Sequence, residues 1–430
     1  MSLNAHQRSL VICRPFVPDS SSDQSGQCFC FAARNDIDEF SIRYMTDIHG
    51  EVQAERALRP VFKRLDPLLM RRIELIDNLV SPAADPPVRP RVLLFAANDT
   101  HAHFLTPVAE ALGDGLFAVP NPKTFDENAA GALRAEGFDT VEIDADLELN
   151  GRVDAFDPHL VLCGNDWSAE FRALRRYCRR RAIPTVALQE GPQDWDAKWG
   201  GTNPRKYQNA DVLFAMGPVT FKSIQPKYFS ITGNPKVDRL EARPLPARPR
   251  VLINCNFTYG QYEEARAGWM RDALGACREL GLDCVISKHP RDPTLWEEAP
   301  MIHSNAYRVR DQLSDCSIVV SRFSSIIHEA LALSRPAIYY NPHGEPMTTF
   351  NDERNPAVRK ARNRSQLRKA LREHGHHMAF DAAAALEYLR THCGPMRGKS
   401  ARTIAVVIRE MVAHRMAPST SRYTHSSVLH

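Results

Sequence analysis

No two of the ten cysteines form a CxxC pair; they fall at positions 13, 28, 30, 163, 178, 255, 277, 284, 316 and 393. Without a CxxC pair they do not read as zinc ligands. Cys163, Cys255, Cys284 and Cys316 lie in apolar runs and read as reduced core residues. No apolar run approaches the roughly 18 to 20 residues that cross a bilayer. The opening MSLNAHQRSLVICRPFVPDSSSD is broken by Arg14 and Pro15 and lacks the apolar stretch and cleavage site of a secretory signal, so the expected compartment is the cytoplasm. Neither sign of charge dominates: 55 basic residues against 51 acidic leave +4, which does not by itself indicate nucleic acid. GxGxxG is absent, which removes the dinucleotide fingerprint and leaves no cofactor expected.

What is present is ordinary globular chain, 43% hydrophobic and 25% charged over 430 residues, enough for two to three domains at about 150 residues each. Residues 1–88 carry a Ser-rich patch and an expected helical region over 36–80, broken at Pro60 and Pro67, and read as an added helical extension ending in the Pro-rich joint SPAADPPVRPR. From Arg91 short β-rich runs alternate with helices: RVLLFAAND, TVEID, LVLCGND, TVALQEG, VLFAMGP and FSITGNP. After a second joint, EARPLPARPR, the same grammar returns in RVLINCNF, DCVISKHP, SIVVSRFSS and AIYYNP. The alternation argues two α/β units with parallel sheets, over 89–240 and 241–395, facing one another across a cleft. The run ARTIAVVIREMVAHRM at 401–416 is expected to pack back on the first unit, and 417–430 to be a disordered tail.

Ligands of open α/β sheets bind beyond the carboxyl ends of the strands, so residues just past each run come first. Ser321-Arg322-Phe323-Ser324-Ser325 follows CSIVV and opens a helix; two hydroxyls and unpaired first-turn amides suit a phosphate, although Ser324 would also serve as an ordinary helix cap. Ser287-Lys288-His289-Pro290-Arg291 ends CVIS with three cationic groups that suit a diphosphate, or else are solvated charges of a plain loop. Gln189-Glu190-Gly191-Pro192 ends TVAL: Glu190 is a candidate general base and Gly191 permits close approach, though Glu-Gly is also a common surface turn. Asn98-Asp99-Thr100-His101-Ala102-His103 is a candidate acceptor site, with helix capping by Asp99 or Thr100 as its bland alternative.

Other signatures are weaker. Gly394-Pro-Met-Arg-Gly398-Lys399-Ser400 is one residue short of a phosphate-binding Walker loop and follows no strand. His374, His376 and His377 lack an acidic or Cys partner nearby and read as a solvated loop, so no metal site is expected.

Together and in order, QEGP, ITGNPKVDRL, KHP and SRFSSIIHEALALSRPAIYYN resemble GT-B glycosyltransferases of bacterial surface and capsular polysaccharide synthesis. The likeness is to the group containing CDP-glycerol glycerophosphotransferases and sialyl-, polysialyl- and Kdo-transferases, and it covers roughly residues 90–415. It implies a GT-B fold, two Rossmann-like domains around a central cleft, and metal-independent transfer from a nucleotide sugar to a glycan or lipid-linked acceptor. It implies that His289, Ser324 and Ser325 hold the donor's phosphates, with Lys288 beside them, and that Glu329 meets the ribose. Glu190 remains the candidate base, and Asp99, His101 and His103 the acceptor contacts. Gln189 stands where related sialyltransferases carry an acid and glycerophosphotransferases a histidine, which leaves the donor's identity open. Two alternatives stand beside this reading: a nucleotide-sugar 2-epimerase, whose Ser-Gly-Gly turn is replaced here by Ser324-Ser325, and a catalytically silent subunit of a polysaccharide-synthesis assembly. The basic run Arg172, Arg175, Arg176, Arg179, Arg180 and Arg181 is either a solvated helix face or a contact for anionic headgroups at the inner membrane surface; no aromatic residues interleave with it, which argues against nucleic acid.

Overall fold

The computed structural model describes residues 29–34, 40–45 and 74–75 and, from 89 to 416, all but 114, 121–128, 144–150, 193–205, 218, 221–223, 225–227, 242, 258–261, 290–291, 293, 304–308, 352, 378–379 and 395–397. Three strands come first: β1 (Phe29–Arg34), β2 (Phe40–Met45) and β3 (Glu74–Leu75). The first α/β unit then runs β4 (Val92–Phe95), α1 (Asp99–Leu112), β5 (Leu116–Pro120), α2 (Ala129–Ala135), β6 (Thr140–Ile143), α3 (Gly151–Phe156) and β7 (Leu160–Cys163). It continues with α4 (Ala169–Arg180), β8 (Thr185–Leu188), β9 (Val212–Ala215) and β10 (Tyr228–Ile231).

The second unit holds β11 (Arg250–Cys255), α5 (Arg266–Glu279), β12 (Asp283–Lys288), β13 (Met301–His303), α6 (Val309–Ser314) and β14 (Ile318–Ser321). It is completed by α7 (Ile326–Ala332), β15 (Ala337–Tyr340), α8 (Thr348–Asn351), β16 (Val358–Ala361), α9 (Arg364–His377) and α10 (Ala382–His392), and the long helix α11 (Ser400–Met416) follows.

The sheets are ordered β3-β2-β1-β10-β9-β8-β7-β4-β5-β6 and β13-β12-β11-β14-β15-β16. From β10 to β6, and throughout the second sheet, every pairing is parallel. Strands such as VLLF, LVLC and IVVS are buried at every position, as sheets covered by helices on both faces require. One structural fact matters most for function. Within the parallel part of the first sheet, β4 to β10, and in the second sheet the chain reverses its direction of strand addition once, between β4 and β7 and between β11 and β14 respectively. At such a point the connections diverge to opposite faces and open a crevice beyond the strand ends.

The helical expectation over 36–80 meets strands at Phe40–Met45 and Glu74–Leu75; the rest of that stretch lies outside the described residues. Phe40, Ile42 and Tyr44 alternate with Ser41 and Arg43, a period of two that suits a strand, and β2 pairs antiparallel with β1, itself antiparallel to β10. The tail over 417–430 also lies outside the described residues.

Helix α11 packs on the first unit although it follows the second. Ala401, Ile404, Ala405, Ile408 and Val412 recur at helical spacing and join the core formed by Phe104, Val108 and Leu112 of α1 with β4 and β7. The chain returns across the joint through a tight seam. The Asn234 N–H donates to the Cys393 carbonyl (3.2 Å), and a Cβ on Gly217 would lie 2.5 Å from the Thr391 carbonyl oxygen.

Candidate active site

In the first unit the crevice lies beyond Phe95 of β4 and Cys163 of β7, which are register partners. Asn98 caps α1: its side chain accepts the His101 N–H at 2.9 Å, so the cap is Asn98 and not Asp99 or Thr100. This turn directs the His101 ring under the strand ends, where it is fully buried. Its Nδ1 accepts the Ala97 backbone N–H at 3.2 Å, which leaves the proton on Nε2. That Nε2 donates to Oε2 of Glu190 at 2.5 Å, from the loop after β8. The Asn165 side-chain amide lies 3.1 Å from the same nitrogen, and its carbonyl end is the one chemically suited to face an N–H. Phe104 meets the imidazole edge-on with centroids 5.6 Å apart.

Glu190 keeps 18% of its side chain exposed while His101 keeps none, so the carboxylate is the end of the pair that reaches the cleft. Burial works to raise its pKa, but His101, Lys236 and Lys206 outweigh burial and hold the carboxyl below its ordinary range. Its backbone is fixed on both sides: the N–H donates to the Tyr207 hydroxyl (3.2 Å) and the carbonyl accepts from the Lys236 ammonium (2.9 Å). Gln189 is buried and structural. Its Oε1 accepts from Met216 N and Thr220 Oγ1, and its Nε2 donates to the Gly191 carbonyl, a division of roles that an acid or an imidazole could not reproduce.

In the second unit the crevice lies beyond Asn254 and Ser321, again register partners. Asn254 Nδ2 donates to Ser321 Oγ (2.8 Å), and Asn256 Nδ2 to the Phe323 carbonyl (2.7 Å). The buried Arg322 donates to Glu345 (2.8 Å) with its guanidinium 4.0 Å from the centre of the Phe257 ring. These contacts fix the loop that carries Ser324 and Ser325. Ser324 Oγ accepts the Ile326 N–H (3.3 Å), Ser325 occupies the cap position of α7 with no side-chain capping bond, and its hydroxyl donates to Glu329 Oε1 (3.4 Å). Burial raises the pKa of Glu329, against the pull of Lys236 and Ser325.

The two crevices meet. A Cβ on Gly191 would stand 3.8 Å from the Cβ of Ser325, so the loop bearing Glu190 opposes the loop bearing the serine pair. Lys236 lies between them: it bonds to Glu190, sits 5.2 Å over the Phe104 ring, and perturbs both Glu329 and His103. Lys236 stands in ITGNPKVDRL without a motif to mark it; the signal the sequence offers is its place just past β10, at the joint of the two units.

The remaining candidates divide. His103 is on the same helix as His101, and burial, then Lys236, lowers its pKa to about 4. Asp99 lies in the first turn of α1 and accepts the Thr100 N–H (2.8 Å). Lys288 is not a solvated cation at the mouth of the sheet. It is 3% exposed, and its ammonium donates to the Thr294 carbonyl (2.7 Å), because the side chain folds beneath its own loop. His289 follows it, with its N–H on the Cys255 carbonyl (3.3 Å) at the end of β11. His101 is fully buried and so offers no surface to an acceptor; its contact with the cleft is the bond to Glu190.

The weaker motifs resolve plainly. Asp238 supplies a carboxylate at the start of α11, accepting the N–H groups of Gly398 (3.1 Å) and Ala401 (2.7 Å) of the Walker-like run, whose residues 395–397 lie outside the described residues. His374, His376 and His377 belong to helix α9 and not to a loop, since Leu367, Ala370, Leu371 and His374 form its buried face. Seven described cysteines are free thiols, and among the described residues no group of three or more His, Cys, Asp or Glu could hold a metal ion. Nor is any described helix long and apolar enough to cross a membrane.

No family model and no curated protein matches this chain. Solved structures do. A Listeria monocytogenes protein assigned as a UDP-N-acetylglucosamine 2-epimerase is similar at TM-score 0.55 and 14% identity, over 77% of this chain and 98% of that one. The UDP-GlcNAc 2-epimerase of Methanocaldococcus jannaschii, in complex with UDP-GlcNAc and UDP, is similar at TM-score 0.54 and 13% identity, over 74% and 99%. That of Neisseria meningitidis, bound to UDP-GlcNAc, gives 0.51 and 12%, over 75% and 99%. At these identities the likeness concerns the fold: two Rossmann-like parallel-sheet domains facing a cleft, the GT-B architecture.

Proposed function

We propose that this chain is a glycosyltransferase that moves a sugar from a nucleotide-activated donor to a hydroxyl of a glycan or lipid-linked acceptor. The observation that carries the reading is the opposition of Gly191 and Ser325, which brings a fixed carboxylate and a hydroxyl-rich loop to one cleft. A hydroxyl attacks poorly until a base takes its proton in the transition state, and the departing nucleotide phosphate develops charge that needs preplaced donors. In this reading Glu190 is the base, oriented by His101 and Lys236. Ser324, Ser325, His289 and the opening of α7 receive the donor's phosphates, Lys288 shapes the loop that bears His289, and Glu329 meets the ribose. Asp99 and His103 flank the acceptor. The positive potential comes from side chains and main-chain dipoles, and no metal is required. The resemblance noted above suggests an acidic sugar and a surface or capsular polysaccharide. Exposed Arg172, Arg176, Arg179 and Arg180 on α4 would draw the enzyme to anionic headgroups around a lipid-linked acceptor.

One observation favours a second reading, nucleotide-sugar 2-epimerisation: the similar structures reported above are described as epimerases. Calorimetric titration with CMP, CDP, UDP and GDP, followed by incubation with the matching nucleotide sugars, tests both. Release of nucleotide only when a glycan acceptor is present supports transfer, and interconversion of a free nucleotide sugar without acceptor supports the epimerase. Binding with neither reaction points to a silent subunit, and no binding by any of the four nucleotides overturns the reading.

A further inference from the structure

Trp167 is exposed to 37%, whereas nearly all the large apolar side chains among the described residues are buried. It sits in the loop Gly164–Ser168 that leaves β7 at the reversal point of the first sheet, two residues past Asn165, whose amide meets His101. Both its neighbours are anchored. Asp166 is buried and accepts the N–H groups of Asn209 (2.6 Å) and Ala210 (2.9 Å), and Ser168 caps α4 by accepting the Phe171 N–H (3.1 Å). The Trp167 carbonyl accepts from Arg172 Nη1. The indole rests edge-to-face on Tyr207, with centroids 5.3 Å apart and planes at 66°. Tyr207 is itself 2% exposed, holds a left-handed φ of 58° that is unfavourable for a bulky residue, and receives the Glu190 N–H on its hydroxyl. A rigid aromatic face is thus tied through one buried tyrosine to the backbone of Glu190, the residue that carries the candidate base.

An exposed aromatic ring held this firmly has already lost its side-chain freedom, so a ligand laid on it meets little ordering cost. Its π face carries negative potential and attracts the polarised C–H groups on the apolar face of a pyranose. We propose that Trp167 is the stacking platform for a sugar ring of the acceptor, and that it sets acceptor affinity and register at Glu190 without taking part in donor binding. This assignment rests on the glycosyl-transfer reading for its acceptor, but its test does not require turnover.

The full chain labelled with 5-fluorotryptophan gives five fluorine resonances, one for each of its five tryptophans, and Trp167→Phe assigns the one at issue. Titration with lactose, maltotriose, chitotriose and α2,8-linked disialic acid is expected to shift the Trp167 resonance with at least one saccharide. Trp167→Ala should weaken that binding on the order of tenfold, Trp167→Tyr should restore most of it, and the affinity for nucleotide should stay unchanged in all three variants. The four other fluorine signals report whether each variant is folded. Saccharide binding that leaves the Trp167 resonance unmoved overturns the proposal, as does a panel with no binder, or a Trp167→Ala loss that extends to the nucleotide. A protein that binds saccharide at Trp167 but no nucleotide would keep this site and remove the transferase reading, so the two failures are distinct.

Discussion

His101 Nε2 lies 2.5 Å from Glu190 Oε2, with the imidazole fully buried and its other nitrogen held by the Ala97 amide. This pair fixes the tautomer and orientation of the histidine and gives the carboxylate a hydrogen bond it keeps while facing the cleft. Glu190→Gln should lower turnover by about 10² to 10⁴ with nucleotide affinity intact. Near-normal turnover would move the base elsewhere, to Asp99 or His103.

The same pair makes a prediction about pH. Glu190 must be ionised to accept a proton, and His101, Lys236 and Lys206 hold its pKa down against burial. Activity should therefore persist into acid and fall only as the pH drops through that depressed value. His101→Ala removes a lowering influence and leaves the burial, so the acid limb of the kcat profile should move to higher pH, with turnover reduced about 10²-fold by loss of orientation. His101→Gln, which keeps a donor, should recover part of both effects. A limb that does not move in His101→Ala would show that His101 does not tune Glu190.

Gly164 offers a subtler perturbation. A Cβ there would lie 2.6 Å from His101 Cγ and 2.8 Å from Phe104 Cζ, so Gly164→Ala must push the ring that Ala97 and Glu190 hold in place. Overpacking of this kind costs about 1 to 3 kcal/mol. The expected outcome is a lower kcat at unchanged nucleotide affinity, read by single-turnover kinetics and calorimetry. Gly191→Ala, whose Cβ meets Ser325 at an ordinary contact distance, should be far milder. Equal kcat values for the two variants would contradict this.

Much of this site could be read from residues following apolar runs, because a parallel strand ends where its crevice begins. Glu190, Ser324, Ser325 and His289 are candidates for that reason; the serine pair follows β14 at the reversal point of the second sheet, while Glu190 follows β8 and His289 follows β12, each one strand away from a reversal point. What local sequence could not supply was pairing across 89 residues. Nothing in NDTHAH says that His101 turns inward to Glu190, nor that Asn98 is the cap that aims it. Lys288 misled because a lysine after a strand resembles a solvated charge, whereas its long stem is buried and its ammonium closes on Thr294. The strand Phe40–Met45 was hidden by an expectation of helix, although its alternation of apolar and polar residues carried the correct period. Lys236 required the fold itself, since its role arises only where the two units meet.

Donor binding should depend on the loops of the second unit. Ser325→Ala removes a hydroxyl opposite Gly191, and His289→Ala removes an imidazole beyond β12. Each lost hydrogen bond to a charged phosphate costs about 1.5 to 3 kcal/mol, so the affinity for the preferred nucleoside diphosphate should fall tenfold or more in each variant. Calorimetry at fixed ionic strength measures this, and unchanged affinity would remove that residue from the site. Addition of EDTA should leave both binding and turnover unaltered, and a strict requirement for divalent metal would defeat the mechanism proposed here.

The last prediction concerns stability. His328 of α7 is fully buried against Phe350, Tyr388 and His392, and among the described residues neither ring nitrogen has a hydrogen-bond partner. Burial, then His392 and Lys236, push its pKa well below the ordinary value of 6.5, with Glu353 opposing. The folded protein therefore keeps this imidazole neutral, while the unfolded chain takes up a proton near pH 6.5. The stabilisation is complete above that pH and is lost as the pH falls below it, by up to about 1.4 kcal/mol per pH unit. Glu353, bonded to His392 and lowered to about 2, weakens the fold in the same direction but only below the ordinary carboxylate range. The interval from pH 6.5 to pH 5 therefore isolates the histidine from that carboxylate. His328→Phe keeps a ring of similar size among aromatic neighbours and has no proton to exchange. Urea denaturation at pH 7.5 and pH 5 should show wild type losing on the order of 2 kcal/mol more than the variant across that interval, and parallel losses in the two proteins would mean that His328 is not the group responsible.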